Sequence, residues 1–132
     1  MNISRPLIYL VDDHPIVRQT ILDWLRVEFS VGSCRGYTSA EELFEVLPVN
    51  APDLVIMDVS LPGMNGIDAA RQIKAMHPLI PILILTIHEN PQYARDAIAS
   101  GADGFLRKDR VYSDLIPAIR RMLAPGLPAA RL

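Results

Sequence analysis

Short, unbroken runs of apolar residues recur along this chain, and each ends abruptly at a polar or charged residue. Three runs are clear, at residues 7–11, 54–57 and 82–85, and two are weaker, at residues 31–36 and 104–107. Unbroken apolarity over four or five residues is typical of strands that are covered on both faces. The pattern therefore predicts five strands of a buried sheet.

The segments between these runs carry apolar residues at helical spacing. This spacing predicts helices over residues 15–29, 39–47, 66–76, 91–100 and 113–123. Ser39 with Glu42 three residues later predicts a capping box, and Ser113 is expected to cap the last helix. Pro117 would then lie close enough to the start of that helix to be tolerated.

Strand and helix alternate five times, which predicts an α/β fold: a doubly wound, five-stranded parallel sheet, (βα)5, with right-handed crossovers and helices on both faces. A length of 132 residues, half of them apolar, fits a single domain. We expect this domain to occupy residues 1–124. Residues 125–132 are expected to form a tail or the start of an interdomain linker.

Charge and composition exclude several classes of protein. The net charge is −2 and no cluster of lysines and arginines is present, so DNA would be contacted only through an output domain outside this chain. The single cysteine, Cys34, is expected to fill a strand and fits a reducing compartment. No run approaches the roughly 20 apolar residues of a membrane span, and the amino terminus lacks a secretory pattern. These features predict a cytoplasmic protein without membrane contact.

Polar side chains follow four of the predicted strands at the carboxyl end. Asp12 and Asp13 follow the first strand, Asp58 the third, Thr86 the fourth and Lys108 the fifth. A parallel sheet would bring them to one rim, which is where doubly wound folds bind ligands. Three carboxylates at such short distances repel one another unless a cation lies between them. Oxygen ligands without a histidine and cysteine set favour Mg²⁺ over zinc.

These residue types also suit phosphoryl transfer. A carboxylate can be the nucleophile, which predicts Asp58 as the acceptor, with the Lys108 ammonium and the Thr86 hydroxyl facing phosphoryl oxygens. Singly, an aspartate, threonine or lysine at such a place is more often a helix cap, a strand residue or a solvated charge. Five complementary groups at four strand ends are improbable as independent caps. His14, before Pro15, is expected to cap a helix or to face solvent rather than to bind metal.

Four motifs resemble those of the response regulator receiver family, and the resemblance covers about residues 6–124. They are Leu-Val-Asp-Asp-His at residues 10–14, Asp-Val-Ser-Leu-Pro-Gly-Met-Asn-Gly at 58–66, Leu-Thr at 85–86, and Gly-Ala-Asp-Gly-Phe-Leu-Arg-Lys at 101–108. Val-Asp-Asp-His-Pro-Ile-Val-Arg at residues 11–18 and Thr-Ile-His at 86–88 are similar to the NarL/FixJ-like subfamily.

The resemblance implies a flavodoxin-like sheet and a specific set of roles. Mg²⁺ would be bound by Asp13, Asp58 and the main-chain carbonyl of Ser60, with Asp12 contributing directly or through water. Asp58 would accept a phosphoryl group from a histidine kinase or a phosphotransfer protein. Thr86 and residue 105 would form the switch. Phe105 stands where most of the family has tyrosine, so it is expected to sense packing only.

The subfamily resemblance also implies the biological setting. We expect the regulatory part of a transcriptional regulator, with a homodimer formed on phosphorylation. The alternative is a stand-alone regulator that acts through protein contacts. The chain would not be an enzyme in the ordinary sense, but a phosphoacceptor that catalyses its own phosphoryl transfer and dephosphorylation.

Three other functions fit the sequence less well. A receiver that only binds proteins would lack an acid or the lysine, and none is missing. A haloacid-dehalogenase phosphatase needs a second aspartate where Ser60 stands, and a dinucleotide enzyme needs a Gly-x-Gly-x-x-Gly motif after the first strand.

Overall fold

The computed structural model describes residues 5–29 and 34–124. Its strands are β1 (Ile8–Val11), β2 (Cys34–Tyr37), β3 (Leu54–Asp58), β4 (Ile82–Thr86) and β5 (Gly104–Arg107). Its helices are α1 (Pro15–Glu28), α2 (Ala40–Val46), α3 (Gly66–Met76), α4 (Pro91–Ala99) and α5 (Val111–Leu123). Within these two ranges no helix has the length and apolarity to cross a membrane.

The strands form one parallel sheet in the order β2-β1-β3-β4-β5. This confirms the predicted α/β fold. The chain moves outward from β1 to β2 and then returns to place β3 on the other side of β1. The strand order therefore reverses between β1 and β3, and the carboxyl ends of these two strands flank the crevice where such folds bind ligands.

Both faces of the sheet are covered, as the unbroken apolar runs predicted. In β1 the residues alternate between two cores, with Ile8 and Leu10 on one side and Tyr9 and Val11 on the other. One core is completed by α1 and α5, and the second by α2, α3 and α4. Because every residue of β1, β3 and β4 is buried, the charged side chains that follow or end these strands lie at their carboxyl ends.

The predicted start of the last helix is wrong. Helix α5 begins at Val111, and Ser113 lies inside its first turn, where its Oγ donates to the Arg110 carbonyl at 3.3 Å. A short 3-10 turn, Lys108–Arg110, leads directly into the helix, and the Val111 amide donates to the Lys108 carbonyl. No serine cap is needed there. Pro117 consequently lies in the helix interior, where it removes a bond to the exposed Ser113.

The other predicted helix starts and the buried cysteine are confirmed. Ser39 Oγ accepts from the Glu42 amide at 3.2 Å, and the Glu42 carboxylate accepts from the amide and the hydroxyl of Thr38. His14 is the cap of α1, since its Nδ1 accepts from the Val17 amide. Cys34 is buried, and burial raises the pKa of its thiol to about 11.

The predictions for residues 30–33 and for the tail at 125–132 lie outside the described residues.

Candidate functional site

Asp12 is held rigidly just beyond the end of β1. Its side chain is fully buried, and its Oδ1 accepts from the His14 amide at 2.9 Å. Its own amide donates to the Tyr37 carbonyl of β2, and its carbonyl accepts from Arg18 Nη1 at 2.8 Å. These bonds leave the second carboxylate oxygen, Oδ2, facing the centre of the rim.

Asp58 is the last residue of β3 and is 5% exposed. Its Oδ1 accepts from the Ser60 amide at 3.3 Å. The first residue of α3, Gly66, packs directly against the Asp58 carbonyl, because a Cβ built at Gly66 would lie only 1.9 Å from that oxygen. The close approach of α3 fixes where the strand ends and thus where the carboxylate points.

Lys108 joins these two carboxylates. Its Nζ donates to Asp12 Oδ2 at 2.9 Å and to Asp58 Oδ2 at 3.0 Å, and its side chain is only 15% exposed. The residues come from three separate strand ends, 96 and 50 positions apart from Lys108 in the sequence. The predicted convergence of acidic oxygens on one ammonium is therefore confirmed.

A third carboxylate completes an acidic cluster. Asp13 is exposed, and ligand atoms of Asp12, Asp13 and Asp58 all lie within 4.8 Å of one another. The cluster holds three carboxylates, and Lys108 bonds two of them, so negative charge is in excess around this ammonium. The donor set contains oxygen only and has one side open to solvent, which fits a hard divalent cation.

Burial and charge shift the pKa of both central groups. Burial raises the pKa of Asp58, and the negative charge of Asp12 raises it further, while Lys108 offsets only part of this effect. Burial lowers the pKa of Lys108, but the hydrogen bond that Lys108 donates to Asp12 and the charge of Asp58 outweigh burial and leave that pKa raised. Lys108 therefore stays charged at neutral pH. Burial makes the ionised form of Asp58 unfavourable.

Thr86, Ser60 and Phe105 surround this centre. Thr86 ends β4, is fully buried, and its Oγ1 accepts from the His88 amide at 3.0 Å. Ser60 is exposed and reaches Asp58 through its amide. Phe105 is half-buried on β5 and packs against the core beneath α4. Their predicted roles as hydroxyl donor, metal ligand and switch stay predictions.

The sequence reasoning assigned no role to three residues that brace the site. Arg18, near the start of α1, donates to the Asp12 carbonyl six positions before it. Glu41 of α2 accepts from the Met64 amide and so supports the loop after Asp58. His88 bonds to both Thr86 and Ser60. The bond between Glu41 and Met64 and the bond between His88 and Ser60 span 23 and 28 positions, which no local pattern reveals.

The family model described as "Response regulator receiver domain" matches residues 8–120. The chain belongs to this family. The match spans every strand and nearly all of α5. The matched range includes the acidic pair, Asp58, Thr86 and Lys108.

Several curated proteins and solved structures are similar to this receiver domain. The transcriptional activator protein ExaE of Pseudomonas putida is 34% identical over 89% of this chain and 55% of its own length. The transcriptional activator DevR/DosR of Mycobacterium tuberculosis is 33% identical over 86% of this chain and 52% of its own. A LuxR-family response regulator from Aurantimonas sp. SI85-9A1 has a TM-score of 0.80 at 34% identity, covering 90% of this chain and 85% of that structure.

These similarities support the NarL/FixJ-like subfamily predicted from the sequence. The chain spans about half the length of these two curated relatives.

The raised pKa of Asp58 predicts a specific pH dependence of stability. Because the folded state holds the Asp58 proton to higher pH than the unfolded state, the contribution of Asp58 to stability without divalent cations should fall as pH rises above 3.8, the ordinary value, through the folded pKa. Asp58→Asn should not show this loss and should be more stable at neutral pH. For a chain of this size, a gain of about 1 kcal/mol in the free energy of unfolding corresponds to a Tm rise of roughly 3–5 °C.

Urea unfolding in EDTA across this pH range measures the difference between the wild type and Asp58→Asn. Asp23→Asn, at an exposed position on α1, is the matched control and should track the wild type. If the free energy of unfolding varied with pH in the same way for the wild type and Asp58→Asn, burial would not disfavour the charged form of Asp58.

Proposed function

We propose that this receiver domain is a phosphorylation-activated switch that accepts a phosphoryl group on Asp58 from a histidine kinase or phosphotransfer protein. The observation that carries the proposal is the Lys108 ammonium, bonded at 2.9 and 3.0 Å to Asp12 and Asp58 at the rim of a family-matched fold. In the transfer, the phosphorus–nitrogen bond of the donor breaks as a bond from an Asp58 carboxylate oxygen forms. Lys108 balances the charge of the phosphoryl oxygens, and the Thr86 hydroxyl donates to one of them.

The acidic cluster supports a requirement for Mg²⁺. Asp13, Asp58 and the main-chain carbonyl of Ser60 would hold the ion, with Asp12 contributing directly or through water. The exposed position of Asp13 beside two buried carboxylates supports this assignment, since Mg²⁺ retains waters on its open side. When bound, the ion would neutralise charge on the phosphoryl oxygens.

Phosphorylation would act on the domain by electrostatics. The group adds close to two negative charges at a rim that already carries an excess, and Thr86 with its loop is drawn toward the new acceptor oxygens. Phe105 would respond through packing alone, because it has no hydroxyl to bond in a second position. The chain would thus be a phosphoacceptor that catalyses its own phosphoryl transfer and dephosphorylation, not an enzyme with a separate substrate.

The relatives support a role in transcription. ExaE and DevR/DosR are transcriptional activators about twice as long as the aligned region. We expect this domain to be the regulatory part of such a regulator, to act in the cytoplasm, to form a homodimer on phosphorylation, and to reach DNA only through a separate output domain. A stand-alone regulator is the second candidate, and a helix-turn-helix in the coding sequence beyond Leu132 would exclude it.

Incubation with acetyl phosphate and Mg²⁺, followed by intact mass spectrometry, tests the phosphoacceptor role. The wild type should gain the mass of one phosphoryl group, and hydroxylamine should remove it, since acyl phosphates react with this nucleophile. Asp58→Asn and wild type in EDTA should gain none. A folded Asp58→Asn protein that still becomes phosphorylated would contradict the proposal.

A further inference from the structure

Three hydrogen bonds fix the main chain and the carboxylate of Asp12 just beyond β1. The Asp12 amide donates to the Tyr37 carbonyl of β2 at 3.0 Å, and Asp12 Oδ1 accepts from the His14 amide at 2.9 Å. The third bond comes from α1, where Arg18 Nη1 donates to the Asp12 carbonyl at 2.8 Å. The bond from Arg18 is the one of the three that a side chain donates.

The carbonyl that Arg18 bonds belongs to the peptide unit that joins Asp12 to Asp13. Because this unit is planar, a constraint on the direction of its oxygen also constrains its amide and the Cα of Asp13. Asp13 is the exposed member of the acidic cluster, and it lies in the bend between β1 and α1. Arg18 therefore constrains the backbone that carries the Asp13 carboxylate.

The stem of Arg18 reaches this carbonyl along β2. A Cβ built at Gly36 would lie 3.1 Å from Arg18 Cδ and 3.3 Å from Arg18 Cγ, so the aliphatic part of the arginine packs against the glycine. Arg18 is half-buried, and the contact of its stem with β2 limits the directions that the guanidinium can take. The missing side chain at Gly36 leaves room for this path.

The charge of Arg18 and its hydrogen bond have opposite effects on a cation at the acidic cluster. A guanidinium is always charged, so its direct effect on a nearby cation is repulsion. Loss of the charge alone would strengthen cation binding, whereas loss of the constraint on Asp13 would weaken it. The sign of the change in affinity therefore distinguishes the two effects.

We infer that Arg18 is a positioning residue for Mg²⁺, because its bond to the Asp12 carbonyl holds the Asp13 carboxylate where it can bind the ion. The inference rests on the proposed Mg²⁺ site and gives α1 a part in it. Loss of a group that orients metal ligands without touching the metal typically weakens affinity by roughly 10- to 100-fold. Since Arg18 acts through one peptide unit, we expect the lower end of this range.

Arg18→Met tests the inference, because it keeps an unbranched stem against Gly36 and removes the donor. Backbone amide chemical shifts, followed in isotope-labelled protein as MgCl₂ is added without a phosphoryl donor, should give a Kd about 10-fold above that of the wild type. Arg18→Lys keeps a charged donor for a single bond to the carbonyl and should recover most of the affinity.

Phosphoryl uptake from acetyl phosphate supplies a second measurement. Half-maximal uptake in Arg18→Met should need about 10-fold more MgCl₂ than in the wild type, because the ion is bound more weakly. At saturating MgCl₂ the uptake rate should return to near the wild-type value. A general disturbance of the fold would instead lower that rate at every MgCl₂ concentration.

The matched control is Arg26→Met. Arg26 is also half-buried on α1, and its Nη2 also donates to a main-chain carbonyl, that of Cys34 at 2.9 Å. Cys34 begins β2, at the rim opposite the acidic cluster. Arg26→Met should therefore lower the urea midpoint in EDTA to a similar extent as Arg18→Met and leave the affinity for Mg²⁺ unchanged.

Equal or tighter Mg²⁺ binding in Arg18→Met, no recovery in Arg18→Lys, or an equal loss of affinity in Arg26→Met would overturn the inference. If Arg18→Met does not fold, Arg18→Gln replaces it with the same expected result, since its amide is too short to reach the carbonyl. A wild type without a saturable response to MgCl₂ would overturn the proposed Mg²⁺ site, and the role of Arg18 with it. One Kd for the wild type and the folded Arg18 variants would overturn the role of Arg18 alone.

Discussion

Lys108→Ala is expected to lower the free energy of unfolding by about 3–5 kcal/mol in EDTA, the cost of leaving a buried charge without its partner. Lys108 is the ammonium that bonds Asp12 and Asp58, which are both nearly inaccessible to solvent. Without this ammonium the Asp12 and Asp58 carboxylates repel each other across the rim. One of them must then bind a proton or become hydrated. Urea unfolding followed by circular dichroism measures this loss.

Mg²⁺ should restore most of the stability lost in Lys108→Ala, because a divalent cation held by the acidic cluster neutralises the same carboxylates. Lys74→Ala is the matched control. Lys74 bonds Asp103 at 2.7 Å and is 16% exposed, close to the 15% of Lys108, but it lies beside the amino end of β4, at the opposite rim. Mg²⁺ should not rescue Lys74→Ala. Equal losses for Lys108→Ala in EDTA and in Mg²⁺ would contradict a cation site at the rim.

The sheet and the central part of the site could be predicted because each depends on a local pattern combined with a general rule. The residues of β1, β3 and β4 are buried on both faces, so their apolar runs are unbroken. Parallel strands place their carboxyl ends together. The sequence alone therefore predicted that one rim holds Asp12, Asp58 and Lys108.

The features that were not predicted depend on how separate segments meet. The start of α5 is determined by a 3-10 turn that no pattern of caps encodes, and so Ser113 was a plausible but incorrect cap. The bond between Ser60 and His88 joins loops 28 residues apart. Its existence depends on the lengths and paths of both loops, which residue types alone do not determine.

At Gly66, addition of a single methyl group should affect both the stability of the fold and the position of the Asp58 carboxylate. In Gly66→Ala the new Cβ would lie 1.9 Å from the Asp58 carbonyl oxygen and 2.7 Å from its carbon. The obstacle is backbone, so α3 or the end of β3 must shift. We expect a loss of about 3 kcal/mol in the free energy of unfolding, the upper part of the range for overpacking.

The same shift should displace the Asp58 carboxylate and reduce the rate of phosphoryl uptake by about 100-fold, since misplacement by about 1 Å has effects of this size. Gly104→Ala, at the amino end of β5, is the matched control: its Cβ would lie 2.9 Å from Leu83 Cδ1, the end of a side chain that can rotate away. It should cost about 1 kcal/mol and leave phosphoryl uptake near the wild-type rate. If urea midpoints and acetyl phosphate kinetics were the same for Gly66→Ala and Gly104→Ala, the close packing of α3 against β3 would not be what positions the acceptor.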